Sequence, residues 1–259
     1  MAVVTFTTDF GTADAYAAAM KGVVLSLAPD AVLVDVSHAI PRHDVRAGAL
    51  ALAQAAPYFP TGSIHVAVVD PGVGGERAEL VVEAQDRVFI GPDNGVLSMA
   101  TRSPRSAFRI ENPLFRREPC SATFHGRDVF AVAAGRIASG MPPCQAGQKS
   151  DAIVILDLAP NGPLGDGARG VVAHVDHFGN LITSFTEAAG ASVLGRWRLV
   201  CGAVDVELAC GRTFSDVEAG ALVLYAGSSG RMEIAVRGGS AAERLAAHTG
   251  SDLHLWRCA

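Results

Sequence analysis

Five stretches of the chain concentrate side chains that can do acid, base or hydrogen-bonding chemistry. In VAVVDPGVGGER (Val66 to Arg77), four apolar residues run into the carboxylate of Asp70, and three glycines follow before Glu76 and Arg77. Strands often end in such Asp-Pro-Gly turns. The same glycines would also let a small molecule come close to the backbone. TTDFGTAD (Thr7 to Asp14) sets two acids around a glycine turn, and TFHGRD (Thr123 to Asp128) puts His125 just ahead of a helical run. HVDHFGN (His174 to Asn180) and YAGSSG (Tyr225 to Gly230) supply an acid, an amide and two hydroxyls on further turns. Carboxylates and an imidazole are groups that can accept or give a proton, the imidazole close to neutrality. A metal is the other chemistry that His174, Asp176 and His177 suggest. Their odd spacing puts the two imidazoles on opposite faces of a strand, so no metal site is expected.

The elements that must carry these groups alternate through the first 158 residues. Ala2–Thr8, Val32–Ser37 and Ile64–Val69 read as strands, and Asp44–Ala56 reads as a helix between the last two. Thr12 can cap a helix over Ala13–Ala28, an alanine-rich run that stops at Pro29. Val81–Glu83 and Val88–Ile90 flank AQDR as a hairpin, and Gly126–Ser139 reads as a further helix. This order predicts an α/β domain, residues 1–158, with a largely parallel sheet covered on both faces. Asp9 and Asp70 then end the first and third strands, at the edge where open parallel sheets bind ligands. Residues 159–168 hold three glycines and two prolines and read as a linker. Beyond them, runs at Val171–Val175, Leu181–Ser184, Arg198–Cys201, Val204–Leu208, Leu222–Tyr225 and Met232–Val236 predict a small antiparallel β-barrel or sandwich over 169–259.

Composition narrows the function classes. The 259 residues are 49% hydrophobic and 18% charged, enough for a sizeable core. The net charge of −5, with lysine only at positions 21 and 149, argues against a nucleic-acid partner. No apolar run approaches the roughly 18 residues of a membrane span, so no membrane partner is expected. Cysteines 120, 144, 201, 210 and 258 form no C-x-x-C pair and read as free thiols. With no leader at the first residues, the expected location is the cytoplasm.

In this order and spacing, TDFGTAD, VVDPGVGGER, TFHGRD and HFGN resemble the adenosine-forming S-adenosylmethionine hydrolases, relatives of the fluorinase and chlorinase, and the resemblance spans nearly the whole chain. It implies an α/β domain followed by a β-barrel domain that completes the site. It also implies S-adenosyl-L-methionine as substrate rather than cofactor, no other cofactor, and a homotrimer with sites at subunit interfaces. Asp70, Arg77 and His125 match the set that surrounds the attacking water. Asp9 would take the ribose hydroxyls. Phe124, Phe178 and Phe214 would pack on the nucleoside, Asn180 would read the adenine edge, and Asp176 with Ser228 would hold the methionine ammonium. The halogenases have tyrosine or another residue in place of Asp70, the fluorinase has serine at Gly126, and it carries an insertion missing here. These three departures point to water, not halide, as the nucleophile. The fluorinase also has tryptophan at His43 and arginine at Ser229, so the resemblance assigns no substrate contact to those two positions. The alternatives are a halogenase-type transferase and a non-catalytic protein that binds S-adenosylmethionine or adenosine.

Overall fold

A computed structural model describes residues 1–156, 162–165, 167–187 and 194–258. The chain separates into two compact units, Met1–Leu156 and Asp157–Ala259. Of the expected linker, Gly162–Pro163 form a two-residue strand and Ala168 opens the next one. Residues 157–161 and 166 lie outside the described residues.

The first unit contains β1 (Val3–Thr8), α1 (Tyr16–Leu27), β2 (Val32–Ser37), α2 (Val45–Ala55), β3 (Ile64–Val68), β4 (Glu79–Ala84), β5 (Arg87–Pro92), β6 (Ser106–Arg109) and α3 (Ala131–Ala138). Its sheet runs in the order β2-β1-β3-β5-β4-β6. Strands β2, β1, β3 and β5 are parallel, and β4 is antiparallel to both β5 and β6. The strands are apolar almost without interruption because both faces are covered. On one face Phe6, Val66 and Ile90 pack with Met20 and Val24 of α1 and Val132 of α3. On the other, Val69, Val82 and Phe89 pack with Leu52 of α2. The β4–β5 turn places Gln85 and Asp86 at φ of 51° and 55°, the left-handed geometry that matches hairpin twist.

Three helices differ from expectation. Helix α1 begins at Tyr16 behind Ala15, with no side-chain cap, so Thr12 caps nothing. The exposed residues before it, Thr12–Ala15, are spanned by an edge-to-face contact of Phe10 with Tyr16 at 5.9 Å. Helix α2 starts one residue later than expected, because Asp44 is its N-cap, accepting from the Ala47 amide. The expected helix over Gly126–Ser139 opens with a wide turn, Gly126–Phe130, in which Ala131 N–H reaches the Gly126 carbonyl. Such i→i+5 turns insert one extra residue and gather at functional sites.

The second unit contains β7 (Gly162–Pro163), β8 (Ala168–Val175), β9 (Leu181–Thr186), β10 (Gly195–Cys201), β11 (Val204–Cys210), β12 (Leu222–Ala226), β13 (Arg231–Val236), α4 (Ala241–Leu245) and β14 (Asp252–Arg257). Seven strands follow the order β13-β12-β11-β10-β14-β8-β9, and β9 pairs with β13 to close a barrel. All ring pairings are antiparallel except β11–β12, which is parallel and joined only through Ala209–Val223 and Cys210–Leu224. Leu181, Leu199, Leu224, Ile234, Leu253 and Leu255 fill the interior. Among the described residues no helix is long and apolar enough to cross a membrane.

Candidate active site

Strand β1 ends at Thr8 and β3 at Val68, so Asp9 and Asp70 emerge at the carboxyl edge of the parallel strands. Strand β4 runs the other way and therefore begins at that edge, where Glu79 lies opposite Pro92 at the end of β5. His125 arrives from the loop ahead of the wide turn. Asp9, Asp70 and His125 line a cavity of about 600 Å³, together with Phe10, Phe124 and Arg127 among others.

Arg77 is the hub. Its Nε lies 3.1 Å from each Asp70 oxygen, and its Nη2 donates to Asp70 Oδ2 at 2.5 Å. Its Nη1 donates to Glu79 Oε1 at 2.9 Å. Nη2 also lies 2.9 Å from His125 Nδ1, and that nitrogen is 3.0 Å from Glu79 Oε1. Arg116 closes the group by donating to Glu79 Oε2 at 3.3 Å. The buried Phe130 ring lies 5.6 Å from the Arg77 guanidinium carbon, a cation–π contact. The Asp70 and Arg77 side chains are only 5% and 10% exposed, so these charges interact in a poorly screened setting. Burial alone would lower the Arg77 pKa, but hydrogen bonds and charge from Asp70, then Glu79, raise it above the usual value. Burial, followed by the positive charge of Arg77, holds His125 below its ordinary value of 6.5. Glu79 and Asp70 oppose that shift, and Arg116 adds to it. The net effect favours the neutral imidazole.

One glycine in the Asp70–Arg77 loop is essential to this geometry. Gly74 sits at φ +76°, and a Cβ there would lie 2.4 Å from the carbonyl oxygen of Ala122. That close approach seats the loop against the segment leading to His125. Gly74→Ala is expected to combine left-handed strain with a backbone clash. It should lower stability by about 1–3 kcal/mol and separate Arg77 from His125. Denaturant unfolding together with turnover measures both effects. Gly126 is confined too, since a Cβ would meet Met20 Sδ and the Phe10 ring at 3.2 Å.

The nearby residues are organised by a second ion group. Asp128 is fully buried and takes Arg127 Nε and Nη2 at 2.7 Å, Arg117 Nε at 3.1 Å and the Ser121 amide at 2.9 Å. Hydrogen bonding to Arg127 lowers its pKa against the effect of burial. It is an anchor for the loop before His125 rather than a helix-start residue alone. Phe124 has Arg127 over its ring at 4.9 Å and Phe10 and Tyr16 at its edges. Asp9 Oδ2 accepts from the His43 amide at 2.9 Å, with His43 at φ 64°.

The remaining candidates lie on the second unit. Asp176 Oδ1 accepts from the amides of Phe178 and Asn180 at 2.9 and 2.8 Å, and Oδ2 accepts from the Asn180 side chain at 2.8 Å. Asp176 therefore shapes the turn that carries the other two. Phe178 is 76% exposed at its tip and Phe214 is 41% exposed, so neither is a core aromatic. Phe214 packs against Tyr225 with ring centres 4.9 Å apart. Ser228 and Ser229 are exposed on the Gly227–Gly230 turn. His174 is in β8, whereas His177 lies in the turn beyond it, so the two do not share a strand. Among the described residues no three His, Cys, Asp or Glu side chains gather to hold a metal ion.

Two residues of this arrangement escape a reading of the sequence. Glu79 looks like the polar start of an apolar strand, and Asp128 like an acid favouring a helix dipole. A charged residue opening an otherwise apolar run, two positions after an arginine, is the only local sign of Glu79.

Comparison with known proteins fits this geometry. The N-terminal domain of the SAM hydroxide adenosyltransferases matches residues 4–147, and their C-terminal domain matches residues 170–254. The chain is 42% identical to a protein of Salinispora arenicola named (R)-S-adenosyl-L-methionine hydrolase, over 97% of each chain. It is 41% identical to a protein of that name from Thermus thermophilus, over 98% of this chain and all of the other. A fluorinase of an Actinoplanes species is 27% identical over 90% of each. A crystal structure of a conserved protein from Thermotoga maritima superposes with a TM-score of 0.91 at 30% identity, covering 97% of this chain and 99% of that one. On both domain matches and full-length identity, the chain belongs to the SAM hydroxide adenosyltransferase family.

Proposed function

We propose that the protein hydrolyses S-adenosyl-L-methionine to adenosine and L-methionine, with water attacking C5′ of the ribose. The observation that carries this reading is the buried Asp70–Arg77–His125 group at the lip of a nucleoside-sized cavity, in a chain of this family. The sulfonium makes C5′ electrophilic and leaves as a neutral thioether, so the protein's task is to align water and exclude bulk solvent. Asp70 does not strip water in advance. The gap between a carboxylic acid near pKa 4 and water near 15.7 is worth about 16 kcal/mol. Proton transfer is late, once the bond to carbon has made the water acidic. Arg77 fixes Asp70, and His125 is a second polar contact and a proton exit. Asp9 has one oxygen on the His43 amide and offers the other to the ribose hydroxyls.

Phe124 packs on the nucleoside. Phe178, Phe214, Asn180, Asp176 and Ser228 complete recognition of the adenine and the amino acid. Their place on the second unit, together with the family resemblance, supports a homotrimer in which a neighbouring copy supplies them. The free state of all five cysteines supports a cytoplasmic location.

The test is incubation with S-adenosyl-L-methionine in oxygen-18 water. Label in the 5′-hydroxyl of adenosine, with methionine as co-product, is the expected result. Unlabelled adenosine, or binding without products, would overturn the reading. Formation of 5′-chloro-5′-deoxyadenosine would transfer it to the halogenase class.

A further inference from the structure

The contacts of His125 contain a conflict that its neighbours must resolve. Nδ1 lies 2.9 Å from a donor, Arg77 Nη2, and 3.0 Å from an acceptor, Glu79 Oε1. A neutral ring nitrogen carries either a proton or a lone pair, so it satisfies one neighbour and repels the other. The two tautomers leave opposite chemistry at Nε2, the ring nitrogen that neither of these neighbours touches, on a residue that lines the cavity. With Nδ1 bare, Nε2–H is a donor and receives nothing. With Nδ1–H, Nε2 is a base.

We propose that Glu79 is a positioning residue whose carboxylate holds the proton of His125 on Nδ1, leaving Nε2 bare to take the proton that the attacking water sheds. This rests on the hydrolase reading given above. Arg77 Nη2 is already committed to Asp70 Oδ2 at 2.5 Å and does not need the imidazole as acceptor. Glu79 Oε1 accepts from Arg77 Nη1 and has a further lone pair for Nδ1–H, in a charge-assisted bond. The charged groups facing His125 are Asp70 on the β3 end, Arg77 on the glycine loop, Glu79 on β4 and Arg116. Glu79 alone among them both touches Nδ1 and favours a proton there.

The step balances. The water oxygen bonds to C5′ as the C5′–S bond breaks, and that electron pair returns to the methionine sulfur. The water proton passes to Nε2, and the imidazolium, stabilised at Nδ1 by Glu79, later releases it to solvent.

The tautomer is read by long-range proton–nitrogen correlation on protein labelled at histidine nitrogen, with the His125→Gln variant assigning the resonance. Wild-type protein is expected to show His125 protonated at Nδ1, and Glu79→Gln to move that proton to Nε2. A wild-type ring protonated at Nε2, or one unmoved by the substitution, overturns the proposal. This readout needs no substrate, so it fails or holds separately from the hydrolase reading. In turnover, Glu79→Gln should lower kcat by about 10–100-fold, as loss of a supporting partner does elsewhere, with KM within about twofold. Glu79→Asp should recover part of it. Because the neutral ring is the active form, activity falls as pH drops through its pKa. Removing the charge of Glu79 lowers that pKa further, so the acid limb of kcat/KM should shift to lower pH. An unmoved limb with wild-type kcat would reduce Glu79 to a structural ion-pair partner.

Discussion

Arg77→Ala is expected to abolish turnover and to remove a large part of the stability of the first unit. The substitution strips the shared partner from two nearly buried carboxylates, Asp70 and Glu79. Breaking a buried pair by removing one member costs about 3–5 kcal/mol, because the remaining charge is stranded. The contact with Phe130 is lost as well. Marginal stabilities of about 5–15 kcal/mol make such a loss visible in denaturant unfolding. Arg77→Lys separates folding from function. One ammonium can satisfy Asp70 or Glu79, but it cannot reproduce the fork that holds both Asp70 oxygens, Glu79 and the imidazole edge together. The lysine variant should therefore fold with a smaller loss and still turn over at least about 100-fold more slowly, in line with the usual share of positioned acid–base groups. An Arg77→Lys protein of wild-type activity would show that the fork itself is dispensable.

Asp70→Ala is the second large effect, and it probes nucleophile choice. A halide about 4 Å from the carboxylate would be repelled by about 4 kcal/mol at an effective dielectric near 20, or roughly a thousandfold in binding. Water is neutral and feels no such penalty. In the alanine variant Arg77 keeps only Glu79 among its carboxylate partners, and a cationic hole remains. Hydrolysis is expected to fall by about 10²–10⁴-fold while affinity for S-adenosyl-L-methionine changes only a few-fold. Chloride should bind the variant and leave the wild type untouched. Titration calorimetry for both ligands, beside product analysis, reads the outcome. Equal chloride response in the two proteins would remove the selective role of Asp70.

The fold class was legible because its signals are local. Strand runs such as Val32–Ser37, the asparagine-free hairpin at AQDR and the helix between β2 and β3 each depend on residues within a few positions. What escaped depends on distance along the chain. Strand β6 is only four residues long, and β14 shows its alternation through just two inward leucines, Leu253 and Leu255. Helix α1 starts at Tyr16, whose ring meets Phe10 across the preceding turn, a contact no capping rule contains. At the candidate site, Asp70, Arg77 and His125 stand out by motif, and the structure brings them within hydrogen-bond range. Glu79 did not stand out, because its partners His125 and Arg116 are 46 and 37 positions away. Reversal of β4 relative to β5 is what delivers it to the same edge, and that reversal is a property of topology rather than of any short stretch.

The parallel joint between β11 and β12 has a mechanical meaning for the second unit. Every other seam of the ring is stitched by longer antiparallel ladders, whereas this one is held by two residue pairs and a bond from the Gly211 amide to the Leu224 carbonyl. A closed ring has no loose edge from which to unravel, so it must be cut before any strand can leave. The cut falls where the fewest bonds cross, and the ring then opens into one sheet with β11 and β12 at its two free margins, tied to each other only by the connecting segment that carries Phe214.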